Sequence, residues 1–499
     1  MDKNSEGNQS YNKRYISSSQ KIEAKYINFI MLLDDQITRN LNAAGVETRP
    51  VKTNGLWCCF LLPVVLTFYI LLYNVSPLYK LVTYMSYGLL FYSILFIVFI
   101  SISSVVIKES TYGGCVASSL VSALFLYSFL GQDLIFSLMV VSVPVVSWYS
   151  YMLRQALIRC PRTFTIGEAM IVIQGIVLFG LMGLAKLFSN LDDTNEETDF
   201  INVIIYTVLS TVGIIITLLY LLTDEQRNIQ NLAKIFGAGA VFALIILHSV
   251  LGASFMLKFW NYIFMHENRV QIFCFWLSLV IIAVLVLLSR TKLAVKANTV
   301  TRKSFHILAS LVFMSGILLD VNLITLAAGI GLGLLVLVEA LRKSRIEPIS
   351  SALQSAFLVY SDEKDCGSFA MTPLYLYAGL ACPLLLVPQH AGVELELLSG
   401  VLAIGVGDTA ASWFGSHYGF NKWTGSNRTL EGTAFNILSQ VATVYALELF
   451  ELLQGNNALI RTVVAATVTG LVEAKTDQVD NLILPLVSLI AYQATWFIC

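Results

Sequence analysis

Charge is scarce in this sequence: Asp, Glu, Lys and Arg make up 13% of the 499 residues, whereas 57% are hydrophobic. The mean hydropathy of +0.74 implies more apolar surface than a soluble core of this length can hide, which places the chain among multi-span membrane proteins. An excess of either sign is also missing, since 31 Lys and Arg nearly cancel 32 Asp and Glu. The bases are scattered over loops instead of gathered in a stripe, so nucleic-acid binding is not expected. The eight cysteines form no C-x-x-C, have no accompanying His spacing and lie mostly in apolar runs. They read as small core residues, not as a disulfide frame or a zinc site. A secretory signal peptide is not expected either, because the first strongly apolar run begins only near Trp57, behind a polar stretch too long for an n-region.

What remains is a series of apolar windows. Taking stretches of roughly 17 to 25 apolar residues as spans gives an all-α, polytopic integral membrane protein with about 15 transmembrane helices. They start near residues 57, 83, 112, 133, 164, 201, 233, 269, 305, 322, 371, 392, 430, 457 and 480. Residues 1–56 read as a polar, partly disordered cytoplasmic arm with a short surface helix over "KIEAKYINFIMLLDDQITRNL". Residues 57–289 hold about eight of the spans, and 290–499 form a second membrane region carrying the polar motifs. A cytoplasmic N-terminus puts the loops with Arg154, Arg159 and Arg162 and with Arg290, Lys292 and Lys296 inside, with the acidic "SNLDDTNEETD" outside, as the positive-inside rule asks. The same alternation gathers the polar segments of the second region on the cytoplasmic face and leaves the C-terminus on the opposite side.

Those segments carry the chemistry. Asp408 interrupts a membrane-compatible helix in "GVGDTAASWFG"; a carboxylate at that depth costs about 2.5 to 3.5 kcal/mol on the insertion scale and needs a partner, water or a metal. In "NKWTGSNRTLEGT", Lys422 and Arg428 flank the turn Thr424-Gly425-Ser426, with Trp423 before it and Thr429, Glu431 and Gly432 opening the next helix. A glycine-containing turn running into a helix start offers free N–H groups and a positive dipole to phosphate. The stretch lacks the spacing of a Walker A loop. In "EAKTDQVDN", Glu473, Asp477 and Asp480 fall at i, i+4 and i+7, so one helical face is expected to present three carboxylates. Their mutual repulsion would be relieved by a divalent cation, and oxygen-only ligands favour Mg²⁺. Arg302, Lys303 and His306 stand at the mouth of a span, and Arg342, Arg345, Asp362, Lys364 and Asp365 are further candidates on the same face.

Acids suited to Mg²⁺, bases suited to phosphate and a flexible turn on one face are the ingredients of phosphoryl transfer at a membrane surface, which makes a lipid the natural acceptor. Buried carboxylates also leave open a transporter with an ion path. The motifs "RKSFHILA", "SDEKDCGSFAMTPLYLYAG", "GVGDTAASWFGSHYG", "RTLEGT" and "EAKTDQVDNLILP" together resemble the eukaryotic dolichol kinase family, and more distantly the lipid cytidylyltransferases. The resemblance covers roughly residues 300–499; upstream the likeness is only that of many spans. It implies transfer of the γ-phosphate of CTP to dolichol at the endoplasmic reticulum membrane, with dolichyl phosphate as product for protein glycosylation. It also implies nucleotide binding by Arg428 to Gly432 together with the preceding Lys422 to Asn427; Arg302, Lys303 and His306 are expected from their position to assist. Arg428 stands where the family usually has Lys, and Lys364 where Arg is common. Asp408, Asp477 and Asp480 are the expected catalytic acids, with Asp408, Glu473, Asp477 and Asp480 as the expected metal ligands. The nearest rival is a cytidylyltransferase that leaves CMP on the lipid.

Overall fold

The computed structural model describes residues 18–109, 111–188, 196–266, 268–293, 299–361, 365–388, 392–453 and 457–496. Among them all regular structure is helical, and the one strand-like pairing is an isolated antiparallel bridge between Lys422 and Thr429. The arm helix α1 (Ser18–Ala43) precedes α2 (Leu61–Leu72) and α3 (Pro77–Ile102). There follow α4 (Tyr112–Leu130), α5 (Leu134–Arg159), α6 (Ile166–Phe188), α7 (Glu196–Leu221) and α8 (Ile229–Leu251). The next are α9 (Arg269–Leu293), α10 (Thr299–Leu319), α11 (Val321–Lys343), α12 (Ile349–Tyr360) and α13 (Met371–Leu386). The chain ends with α14 (the π-helical Val401–Asp408 running into Thr409–Tyr418), α15 (Leu430–Leu449), α16 (Ala458–Lys475) and α17 (Asp480–Thr495).

Nine of the described helices are long and apolar enough to cross a membrane, and the protein is an all-α, multi-pass membrane protein. The helices lie close to the expected starts, with two differences. The window near 392 does not open a single span, because Glu394–Leu397 is a one-turn helix followed by the π-helical stretch. The last helices are short, 16 residues in α13 and α17 and 18 in α16. Local chemistry sets several boundaries: the Ser76 hydroxyl accepts from Tyr79 N ahead of Pro77 at the start of α3, and Asp320 accepts from Leu323 N to start α11. Such caps satisfy N–H groups that a helix start leaves open. On α8 and α9, Val241, Leu244, Ile245, Phe273, Leu277 and Val280 face outward, as lipid-facing positions do.

The N-terminal arm is not a free appendage from Ile37 onward. Ile37, Leu41 and Val46 are buried in the same core as α3 and α6. Residues 46–55 then run as an extended strap toward the C-terminal helices. α2 packs on α17, and α10 packs along both parts of α14. The two membrane regions therefore share one core, which includes Leu66, Leu89 and Met170 together with Val401, Ile483 and Tyr492.

Candidate active site

One end of the bundle formed by α10, α14, α15, α16 and α17 gathers the polar groups. Asp408 ends the π-helical stretch of α14 and is 3% exposed. Widened π-turns are frequent at functional sites, and here the wide turn is packed from two sides. A Cβ on Gly407 would lie 2.5 Å from Asn436 Oδ1 and 2.6 Å from Gln440 Nε2, so a larger residue there would have to displace these two amides. Lys303 of α10 donates its Nζ to Asp408 Oδ2. Arg302 and His306 stand on the same helix, before and after Lys303, with His306 buried.

Arg428 is the second cation. Its Nη1 reaches Glu473 Oε1 at 2.5 Å, and its Nη2 bridges both oxygens of Asp480 at 3.0 and 2.9 Å. Burial opposes the charge on this guanidinium, but Asp480 and then Glu473 more than offset it and hold its pKa above the ordinary value; Asp408 adds to that field. The other oxygen of Glu473 accepts from Asn436 Nδ2, and Asn436 Oδ1 accepts from Gln440 Nε2 at 2.6 Å. Three carboxylates from three helices thus meet one cation from α10 and one from a loop. Such charges inside a membrane protein are retained only where partners or ligands compensate them.

That loop is built by its own backbone and polar side chains. Trp423 N donates to Arg428 O at 2.9 Å, Ser426 N to Trp423 O at 3.1 Å and Leu430 N to Asn421 O at 2.8 Å. The tip residue Gly425 has φ +79°, a region that favours glycine. Trp423 Nε1 donates to Thr433 Oγ1 at 3.0 Å, and Arg428 N to Ser426 Oγ at 3.2 Å. Thr429 caps α15, its hydroxyl accepting from Gly432 N, while the Glu431 carboxylate accepts from the backbone and side chain of Asn421. Thr429 and Glu431 therefore shape the turn, and Lys422, Thr424 and Gly425 line its exposed side.

The continuous acidic face expected over "EAKTDQVDN" is not formed. α16 stops at Lys475, residues 476–479 are non-helical, and α17 begins at Asp480. The break arises because tertiary partners take the backbone groups that a continuing helix would use. Val479 N donates to Glu168 Oε1 at 2.9 Å, and Asp477 O accepts from Arg49 Nη2 at 3.1 Å. Glu473 and Asp480 consequently meet at Arg428 from two helices, and Asp477 does not share their face. Among the described residues no three acidic, His or Cys side chains form a metal cage, so the four-carboxylate set of Asp408, Glu473, Asp477 and Asp480 is not assembled as one. The oxygen donors of Asp408 and Asp480 still suit Mg²⁺, which is held through one or two carboxylates and completed by phosphate oxygens.

Other candidates sit at the end of α11 and in the segments that follow it. Arg342 is buried and spent on Glu339 at 2.6 and 2.8 Å, Gln354 Oε1 at 2.5 Å and Ser368 O at 3.1 Å. Asp365 accepts from Thr372 N at 3.0 Å, at the start of α13, and Arg345 takes a left-handed conformation after α11. Asp362 and Lys364 lie outside the described residues. Sequence reasoning passed over Asn436 and Gln440, both fully buried; the signal was there, as amides at i and i+4 in an apolar helix. It also passed over Arg49 and Glu168, which only the fold brings to the site.

No solved structure matches the chain. The dolichol kinase from Bos taurus is 31% identical over 355 residues, covering 67% of this chain and 66% of that protein. Dolichol kinase from Homo sapiens is 29% identical over the same length and coverage. "Dolichol kinase EVAN" from Arabidopsis thaliana is 26% identical over 378 residues, 67% of this chain and 65% of that one. The chain thus spans about two thirds of the length of the relatives it matches. The family model for dolichol kinase matches residues 82–378. Likeness to the family is therefore not confined to residues 300–499: it reaches far into the first membrane region, while the model's match stops before Asp408 and the turn that follows. Because that match covers more than half of the sequence, the chain belongs to the dolichol kinase family.

Proposed function

We propose that the protein is a CTP-dependent dolichol kinase that transfers the γ-phosphate of CTP to the hydroxyl of dolichol, giving dolichyl phosphate and CDP. The observation that carries the reading is the meeting of Lys303, Asp408, Arg428, Glu473 and Asp480 at one end of the bundle. Phosphoryl transfer is mainly positioning and charge stabilisation, and that set supplies both. The dolichol oxygen attacks the γ-phosphorus, the bond to the β–γ bridging oxygen breaks, and CDP leaves with that electron pair. Asp408 takes the hydroxyl proton. Lys303 and Arg428, held here by carboxylates, turn their charge to the phosphate oxygens, Arg428 in the forked manner that suits phosphate. Lys422 and the turn Thr424–Ser426 lie beside them. Asp408 and Asp480 would hold Mg²⁺, which neutralises charge on the transferring phosphoryl group when bound.

The reading also places this end of the bundle, with the N-terminus, on the cytosolic face of the endoplasmic reticulum membrane and the C-terminus in the lumen. It makes 290–499 the catalytic region, with 1–56 and 57–289 supporting it. Purified protein incubated with dolichol and CTP labelled at the γ-phosphate should give labelled lipid that depends on Mg²⁺. Label that enters the lipid only from the α-phosphate would replace the kinase with a cytidylyltransferase. Absence of both labels would remove the enzymatic reading.

A further inference from the structure

We propose that the strap of residues 47–55 forms a wall of the nucleotide pocket and that Lys52 supplies a phosphate-binding cation there. The proposal rests on the kinase reading, because it is the nucleotide of that reaction that Lys52 would hold.

The strap is fixed along its length. Arg162 N donates to Glu47 O at 2.7 Å, Arg49 N to Phe164 O at 2.9 Å and Gly167 N to Asn54 O at 2.9 Å. Asn54 N donates in turn to the Asp34 carboxylate at 3.1 Å. Arg49 points inward: its Nε and Nη2 meet Glu168 at 3.2 and 2.5 Å, with exposures of 4% and 0% for the pair. Glu168 also accepts from Thr165 N at 3.0 Å and Val479 N at 2.9 Å. Gln478 closes the seam, donating to Thr53 O at 2.8 Å and accepting from Thr165 Oγ1 at 2.6 Å. The strap is thereby joined to the break before Asp480, and its register is set by the buried groups Arg49, Asn54, Glu168 and Gln478.

Between Arg49 and Thr53, Lys52 faces outward. Its Nζ donates to Gly425 O, at the tip of the turn beside Arg428, at 2.6 Å. The charge of Arg49 is matched by Glu168, whereas Lys52 meets a neutral carbonyl and forms no ion pair among the described residues. An ammonium carries three donors, so one carbonyl leaves capacity for an anion at the same place. The chemistry that fits is the phosphate chain of a nucleoside triphosphate, lying along the turn and reaching Arg428.

The test is equilibrium binding of CTP to the full-length protein in detergent, comparing wild type with Lys52→Ala and Lys52→Arg. Lys52 is exposed, so the melting temperature should hold in both variants. We expect Lys52→Ala to weaken CTP binding about tenfold, the loss of one charge-assisted hydrogen bond, with Lys52→Arg recovering most of it and KM for dolichol unchanged. Equal Kd values for wild type and Lys52→Ala would overturn the proposal. Whether bound CTP then labels dolichol decides the kinase reading separately; a wild-type chain that binds no CTP overturns both.

Discussion

The helical hairpin of α16 and α17 buries an ion pair at each of its ends, and the two pairs are built differently. At the far end, Arg461 sits on α16 and pairs with Glu396 at exposures of 8% and 0%. Its remaining donors reach Tyr492 O at 3.1 Å and Thr495 Oγ1 at 3.3 Å on α17. At the near end the cation comes from a loop: Arg428 is 28% exposed and shared between Glu473 and Asp480, with Lys303 and Asp408 beside it. A pair locked between rigid helices fixes their register, and removing one member strands the other in a low dielectric. A pair that is partly wet, charge-rich and reached by a loop can exchange its partners for a ligand. Burial of charge is common to both, so it is the source of the cation and its access to solvent that separate a structural pair from a candidate site.

The contrast is sharpest at Asp408. Asp408→Asn should leave the protein folded and inserted while kcat for labelling dolichol drops by about 10² to 10⁴, the range expected for losing a catalytic base. An active, well-folded Asp408→Asn protein would remove this residue from the mechanism. At the far end the order reverses. Arg461→Met leaves Glu396 buried without its cation, and stability in detergent unfolding should fall by about 3 to 5 kcal/mol, with kcat of the folded fraction within about twofold of wild type. Adding Glu396→Leu should return most of that stability. If turnover of the folded fraction collapses instead, the division between the two ends fails.

Smaller effects sharpen the comparison. Arg428→Lys keeps the charge but loses the fork that spans Glu473 and Asp480, so KM for CTP should rise roughly tenfold with little change in the melting temperature. Steady-state kinetics at fixed dolichol measures it, and a rise in the KM of dolichol alone would place Arg428 on the lipid side. Trp423→Phe removes the bond from Nε1 to Thr433, worth about 1 kcal/mol, together with part of the ring's packing. A few-fold weaker affinity for CTP is the expected result, and no change would mean that the turn is set without it.

Much of the fold was legible because its cause is local. Apolar windows, Ser76 ahead of Pro77 and Asp320 before α11 locate helices without any knowledge of their neighbours. The helix over the N-terminal arm was readable for the same reason, although its burial was not. In the candidate site, Asp408, Lys303, Arg428, Glu473 and Asp480 stood out as charges in an oily sequence, which is a signal that the cost of burial alone produces. The single face of Glu473, Asp477 and Asp480 is not formed because a spacing of i, i+4, i+7 assumes an unbroken helix. The break depends on Arg49 and Glu168, residues hundreds of positions away along the chain.

Periodicity and composition, being properties of neighbouring residues, determined by themselves that this chain is an all-α membrane protein with a charged, loop-bearing C-terminal region. Only the tertiary structure decided which of those charges meet. Ion pairs and hydrogen bonds act over a few ångströms in space, whatever the separation in sequence. Only folding brings the strap at Arg49, the start of α6 at Glu168 and the turn before Asp480 within that reach.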